Sequence, residues 1–231
     1  MTDIKLINKD CLPVLKGMPS NSVDLIVIDP PYEIKNTKTG SKSEFNHSFQ
    51  KVNNELVSQQ LTEGFDIKVL DELIRINRKV NMYIFCNKAQ LLMYMNYFVA
   101  ERGCNFDLIK WVKTNAVPTF NNKYLTDTEY CIYVRNGGYC KPSSYDDAKT
   151  LYHQPINIKD KRKYGHPTIK PLPLLEKLIR NSSQEGDTVL DCFMGSGSTG
   201  VACKKLQRHF IGIEINKEYF ELSNQRINNA A

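Results

Sequence analysis

The chain has little that would mark a secreted, metal-stapled or membrane protein. Its seven cysteines (Cys11, Cys86, Cys104, Cys131, Cys140, Cys192, Cys203) form no C-x-x-C, and its four histidines are scattered. Structural zinc and a disulfide framework are therefore not expected, and reduced thiols in a cytoplasmic protein are. No apolar run approaches the ~20 residues a bilayer crossing needs. The start, Met1-Thr2-Asp3-Ile4-Lys5, lacks the pattern of a signal peptide. Neither an internal repeat nor a Pro/Gly/Ser linker separates two cores, so residues 1–231 are expected to form a single α/β domain.

What is present fits that expectation. Hydrophobic residues make up 41% and charged residues 24%, close to the globular average. Continuous apolar runs at Val23–Ile28, Val80–Cys86, Phe106–Val112, Tyr130–Val134, Thr188–Asp191 and His209–Ile213 read as strands buried on both faces. Helical periodicity fills Ile67–Arg78, Leu172–Ile179 and Asn216–Ile227. Such alternation predicts a mostly parallel sheet with helices on both faces. Two polar stretches break the pattern: residues 33–64, and a second from Asn136 to Pro167.

The formal charge is +6, and it is unevenly placed. Between Gly137 and Lys170 there are seven Lys/Arg against three Asp, so four of the six excess charges lie in one segment. A solvated loop would explain this, and so would a surface for phosphates.

Thr188 to Gly200 runs from a strand through Gly195, Gly197 and Gly200, a G-x-G-x-x-G turn, towards a helix that Ser198 and Thr199 are placed to cap. Glu214 follows 19 residues after Gly195, at the end of the next strand, where a carboxylate would accept from two ribose hydroxyls. These features point to a cofactor with a nucleoside part. A nicotinamide oxidoreductase is disfavoured, because only 17 residues remain after Glu214 and a dinucleotide fold continues strand–helix–strand from that point. The missing strand must come from the N-terminal segment, in a circularly rearranged order.

Asp29-Pro30-Pro31-Tyr32 closes the first buried run. Two prolines stop the strand and stiffen its exit, leaving the Asp29 and Pro30 carbonyls and the Asp29 carboxylate as acceptors beside a flat Tyr32 ring. This suits a planar ligand donating through an exocyclic amine.

At this point the sequence resembles the S-adenosylmethionine-dependent amino-methyltransferases of DNA, in their permuted beta class. There D-P-P-Y precedes the target-recognition region, and F-x-G-x-G (Phe193-Met194-Gly195-Ser196-Gly197) lies near the C-terminus. His166-Pro167-Thr168-Ile169-Lys170-Pro171 matches the family's H-P-T-x-K-P segment, and Asp10 in Asn8-Lys9-Asp10-Cys11 matches its adenine-contacting acid. The resemblance implies a Rossmann-like methyltransferase fold with a seven-stranded, mostly parallel sheet. It implies Asp29, Pro30, Pro31 and Tyr32 as catalytic residues. It further implies Asp10, Cys11, Asp29, His166, Thr168, Lys170, Asp191, Phe193, Gly195, Ser196, Gly197, Ser198, Thr199 and Glu214 around S-adenosylmethionine, leaving S-adenosylhomocysteine as product. Thr168 and Lys170 are expected towards the cofactor's carboxylate end, and no metal is expected.

The implied reaction is methylation of adenine N6 in double-stranded DNA at a specific sequence. Cytosine N4 is the runner-up; the family more often places Ser before P-P in cytosine enzymes, which favours adenine here. A DNA-binding module without catalysis is disfavoured by the intact motifs. Lys161, Arg162 and Lys163 are expected to hold phosphates, with Lys35, Lys38, Lys42 and Lys51 of the first loop in the same role. Residues 115–165 form a short candidate recognition region. The resemblance leaves room for a homodimer and for a cognate restriction endonuclease.

Overall fold

The computed structural model describes residues 2–32, 64–116, 124–164 and 169–230, and of Lys159, Lys161 and Arg162 only the backbone. Strands and helices alternate along the first part of the chain: β1 (Ile4–Asn8), α1 (Cys11–Gly17), β2 (Leu25–Ile28), α2 (Lys68–Ile76), β3 (Val80–Cys86) and α3 (Leu91–Tyr94), the last continuing as a π-helical turn over Met95–Ala100. Next come β4 (Asn105–Val112), β5 (Thr128–Asn136), α4 (Tyr145–Ala148), β6 (Leu151–His153) and α5 (Ile158–Tyr164). The chain then forms α6 (Leu172–Ser182), β7 (Thr188–Asp191), α7 (Ser198–Lys205), β8 (His209–Glu214) and α8 (Lys217–Asn228).

The strands form one sheet in the order β1-β8-β7-β2-β3-β5-β4-β6. Pairing is parallel from β1 across to β3, antiparallel on both sides of β5, and parallel again between β4 and β6. Among the described residues the sheet thus has eight strands where seven were expected. The additional one, β6, lies in the stretch read as loop, because Leu151-Tyr152-His153 is too short to show an alternating pattern. It pairs Lys110–Val112 at the edge of the sheet.

β1 completes the sheet as the rearranged order requires, with Ile4 to Asn8 lying against Phe210 to Glu214 in register. The sheet is covered on both faces. Ile26 and Ile28 of β2 pack with Leu15 of α1, Leu70 and Leu73 of α2 and Phe98 of the π-helical turn. Leu25 and Val27, pointing the other way, pack with Leu174 and Leu178 of α6, Ala202 of α7 and Ile227 of α8. All four β2 residues are therefore buried, which is why this strand reads as an unbroken apolar run rather than an alternating one. No helix among the described residues is long and apolar enough to cross a membrane.

Candidate active site

In an open parallel sheet, ligands gather beyond the carboxyl ends of the strands where the chain direction reverses. Here β7 lies between β8 and β2, so strands from opposite ends of the sequence finish side by side. Each finishes on or just before an acid: Asp10 after β1, Glu214 on β8, Asp191 on β7 and Asp29 after β2. With neighbouring strands about 4.8 Å apart, four carboxyl groups are set in a row along one rim. They line one cavity of about 410 Å³.

Most of the expected cofactor residues line it. Asp10, Cys11, Asp29, Lys170, Asp191, Phe193, Gly195, Ser196, Ser198, Thr199 and Glu214 do so, together with Pro31. Gly197 sits just behind, at φ +75° as the residue preceding α7. The cleft also takes residues without a recognisable sequence signal, including Phe65, whose ring meets Phe193 edge-on with centroids 5.5 Å apart. His166 and Thr168 lie outside the described residues, as do residues 33–63 of the first long loop.

The glycine turn is held by its surroundings. Glu214 Oε2 accepts from Gly195 N at 2.7 Å and Oε1 from Asn216 N at 2.8 Å, which fixes the carboxylate at the rim with lone pairs to spare. Burial raises its pKa, against the pull of the Asn216 and Gly195 amides. Asp191 accepts from Thr199 Oγ1 at 2.7 Å and from Phe193 N at 3.1 Å. Burial lifts its pKa to about 7 despite those bonds.

Ser198 and Thr199 do not cap α7; they are its first residues, and Gly197 stands at the cap position without a side chain to offer. Their hydroxyls are committed elsewhere. Thr199 donates to Asp191, while Ser198 Oγ accepts from the buried Arg226 guanidinium of α8 at 2.8 Å, which also holds the Ser196 carbonyl at 3.0 Å. Asp10 caps α1 through Leu12 N at 2.9 Å.

At the β2 end, the two prolines turn the chain so that Tyr32 folds back on Asp29. Tyr32 Oη donates to Asp29 Oδ1 at 2.8 Å. Lys170 was expected at the cofactor's carboxylate end; its side chain lines the cavity, but its ammonium pairs with Asp29 Oδ2 and with Glu129 Oε1, the latter at 2.8 Å. Only 8% of the Lys170 side chain is exposed, so two carboxylates are what keep its charge tolerable there. Burial raises the Asp29 pKa, and Lys170 opposes that rise. Burial would raise Glu129 as well, but Lys170 and Lys113 prevail and hold it at about 2. Glu129 and Lys113 were missed by sequence reading. Glu129 on β5 and Lys113, the residue after β4, pair at 2.9 Å.

Pro30 is buried behind this corner, and Gln90 Nε2 donates to the Pro31 carbonyl at 3.3 Å. Of the expected DNA contacts, the side chains of Lys161 and Arg162 are outside the described set. Lys163 is exposed on α5, with its ammonium 4.9 Å from the centre of the Tyr164 ring.

The cavity suits S-adenosylmethionine by its own chemistry. Carboxylates at the rim match ribose hydroxyls and an amine-bearing base, apolar walls from Phe65 and Phe193 match a flat ring, and Asp191 matches a cation. Comparisons with known proteins agree. Type II methyltransferase M.HpaI from Haemophilus parainfluenzae is 33% identical over 241 aligned residues, covering 97% of this chain and 74% of that protein. The crystal structure of the M1.HpyAVI-SAM complex is 30% identical, with a TM-score of 0.68, covering 96% of this chain and 99% of that one. PvuII DNA methyltransferase, which is cytosine-N4-specific, superimposes with a TM-score of 0.68 at 18% identity and shares the fold. Residues 23–225 match the family model described as DNA methylase, and the chain belongs to that family of S-adenosylmethionine-dependent DNA amino-methyltransferases.

Proposed function

We propose that the protein methylates the N6 amine of adenine rotated out of double-stranded DNA at a specific sequence. The observation that carries this reading is the Asp29 carboxylate, fixed at the mouth of the cofactor cleft beside the acid-lined rim and steadied by Tyr32. When bound, S-adenosylmethionine supplies an electrophilic methyl group on a positively charged sulfur. Asp10, Phe193 and Glu214 would hold its nucleoside part, and Asp191 with the Gly195–Gly197 turn its amino-acid part.

The protein's task is then to make a poor nucleophile reactive. An adenine amine is flat because its lone pair is delocalised into the ring. Asp29 and the Pro30 carbonyl, accepting its two N–H groups, favour a more tetrahedral nitrogen and return the lone pair to the attacking direction. They also stabilise the positive charge that grows on nitrogen before a proton leaves to solvent. Tyr32 would stack against the base. Extruding the base costs ~a few kcal/mol, offset by phosphate contacts.

Asp at the head of the tetrad supports adenine over cytosine N4. The Type II designation of the relatives supports a place in a restriction–modification pair, with an endonuclease as cognate partner. The short recognition region supports target reading shared between two subunits. Incubation with unmethylated DNA and methyl-labelled S-adenosylmethionine, followed by digestion to nucleosides, tests the assignment. Label in N6-methyladenine is the expected result; label in N4-methylcytosine selects the runner-up. Asp29→Ala should abolish transfer while calorimetry still shows cofactor binding.

A further inference from the structure

We propose that Glu129 is a positioning residue, a second acceptor that takes over the donors now resting on Asp29 and so frees that carboxylate for the target amine. The inference rests on the role given to Asp29 above and goes beyond it. Both Asp29 oxygens are occupied: Oδ1 by the Tyr32 hydroxyl at 2.8 Å and Oδ2 by the Lys170 ammonium. An incoming amine must share or displace one of them. Each of those donors already has the same alternative within reach. Glu129 Oε1 lies 2.8 Å from Lys170 Nζ and 3.4 Å from Tyr32 Oη. Lys113 holds the other oxygen of Glu129, Oε2, at 2.9 Å, which leaves Oε1 to the donors of the corner.

Among the described residues, the ion pairs of this corner join Asp29 and Glu129 to Lys170 and Lys113, whose charges sum to zero. Removing Glu129's charge alone would leave Lys170 wholly on Asp29, where it competes with the positive charge developing on the substrate nitrogen. Removing Lys170 as well restores neutrality and opens Oδ2. Among the described residues, the groups facing Asp29 are Lys170 ahead of α6, Glu129 and the Cys131 thiol on β5, Tyr32, the Cys86 thiol on β3, Tyr94 of α3 and Asp191 on β7. Of these, Lys170 and the Tyr32 hydroxyl favour its ionised form and Glu129 opposes it.

Three variants test the proposal, with wild type alongside. Glu129→Gln should lower kcat about tenfold or more, with KM for the cofactor nearly unchanged. Its acidic limb should nevertheless move to lower pH, because Asp29 becomes harder to protonate. Adding Lys170→Gln should raise kcat above that of Glu129→Gln alone, a non-additivity that general loosening of the site would not give. Carbon-13 titration of the Asp29 carboxyl in cofactor-free protein should show the same downward displacement in Glu129→Gln. Should that variant not fold, Lys113→Gln substitutes for it, with the Asp29 midpoint expected to rise. Full kcat in Glu129→Gln, a double variant no faster than the single, or an Asp29 midpoint unmoved in the variant titrated would overturn the inference. Asp29→Ala with retained turnover would instead overturn the reading beneath it.

Discussion

At the scale of single residues, Asp191 couples the cofactor cleft to pH. In the unfolded chain an aspartate ionises near its ordinary value of 3.8, whereas burial holds the folded group at about 7. Between those values the native state keeps a proton that the unfolded chain has released. This group's contribution to stability therefore falls as pH rises through that window. A cation in the cleft reverses the preference, because it favours the ionised carboxylate. Binding of S-adenosylmethionine at about pH 7 should then release a proton, and affinity should climb as pH rises towards 8. Calorimetry in two buffers of different ionisation enthalpy reads this directly. Buffer-dependent enthalpy is expected for the wild type and a smaller dependence for Asp191→Asn. Equal dependence in both would remove Asp191 from the account.

At the scale of elements, the glycine turn shows which constraints are local and which come from packing. Gly197 combines φ +75° with a neighbour on α8: an added Cβ would lie 2.8 Å from Ser223 Cβ. Left-handed strain of about 1–2 kcal/mol adds there to overpacking of about 1–3 kcal/mol. Gly200, inside α7, has ordinary helical backbone, but its Cβ would meet Ile227 Cδ1 at 2.4 Å and the Phe210 ring at 2.7 Å. Alanine's helix propensity returns about 1 kcal/mol at that site. Gly197→Ala and Gly200→Ala should therefore both lower the unfolding free energy, and Gly17→Ala, with open space around it, should leave it nearly unchanged. Chemical denaturation of the three variants makes the comparison, and a cost for Gly197→Ala or Gly200→Ala no larger than that of Gly17→Ala would contradict it. These contacts mark the limit of sequence reading. The pattern Gly195-Ser196-Gly197-Ser198-Thr199-Gly200 announces a tight turn into a helix, but not that α8 presses on it or that Arg226 ties Ser196 and Ser198. Strands with continuous apolar runs were legible because burial on both faces writes itself into composition. β6 and the π-helical turn at Met95–Ala100 were not, since neither has a period long enough to show.

At the scale of the whole molecule, Asp29, Asp191 and Glu214 were legible because each closes a buried apolar run, and Asp10 only through the family motif. Their meeting depends on β1 and β2 flanking β8 and β7, which the rearranged motif order required. Glu129 was hidden for the opposite reason: it stands near the start of a strand whose apolar residues begin one position later, and its partners Lys113 and Lys170 are distant in sequence. The same sheet order carries the argument to DNA. Arg226 of α8, which grips the cofactor turn, lies with its guanidinium 4.7 Å from the centre of the Tyr164 ring of α5. The basic run Lys161-Arg162-Lys163 is therefore carried on a short helix packed against the support of the cofactor loop. Lysine and arginine on a solvated face would contribute nothing to DNA affinity, whereas phosphate contacts release counterions on binding. If all three contact phosphates, their joint replacement by Ala should make the slope of log Kobs against log salt shallower by about 2–3. Affinity at low salt should fall with it, while calorimetric binding of S-adenosylmethionine stays intact. Filter binding or fluorescence anisotropy over a salt series makes the measurement, and a slope equal to that of the wild type would assign the run to solvent.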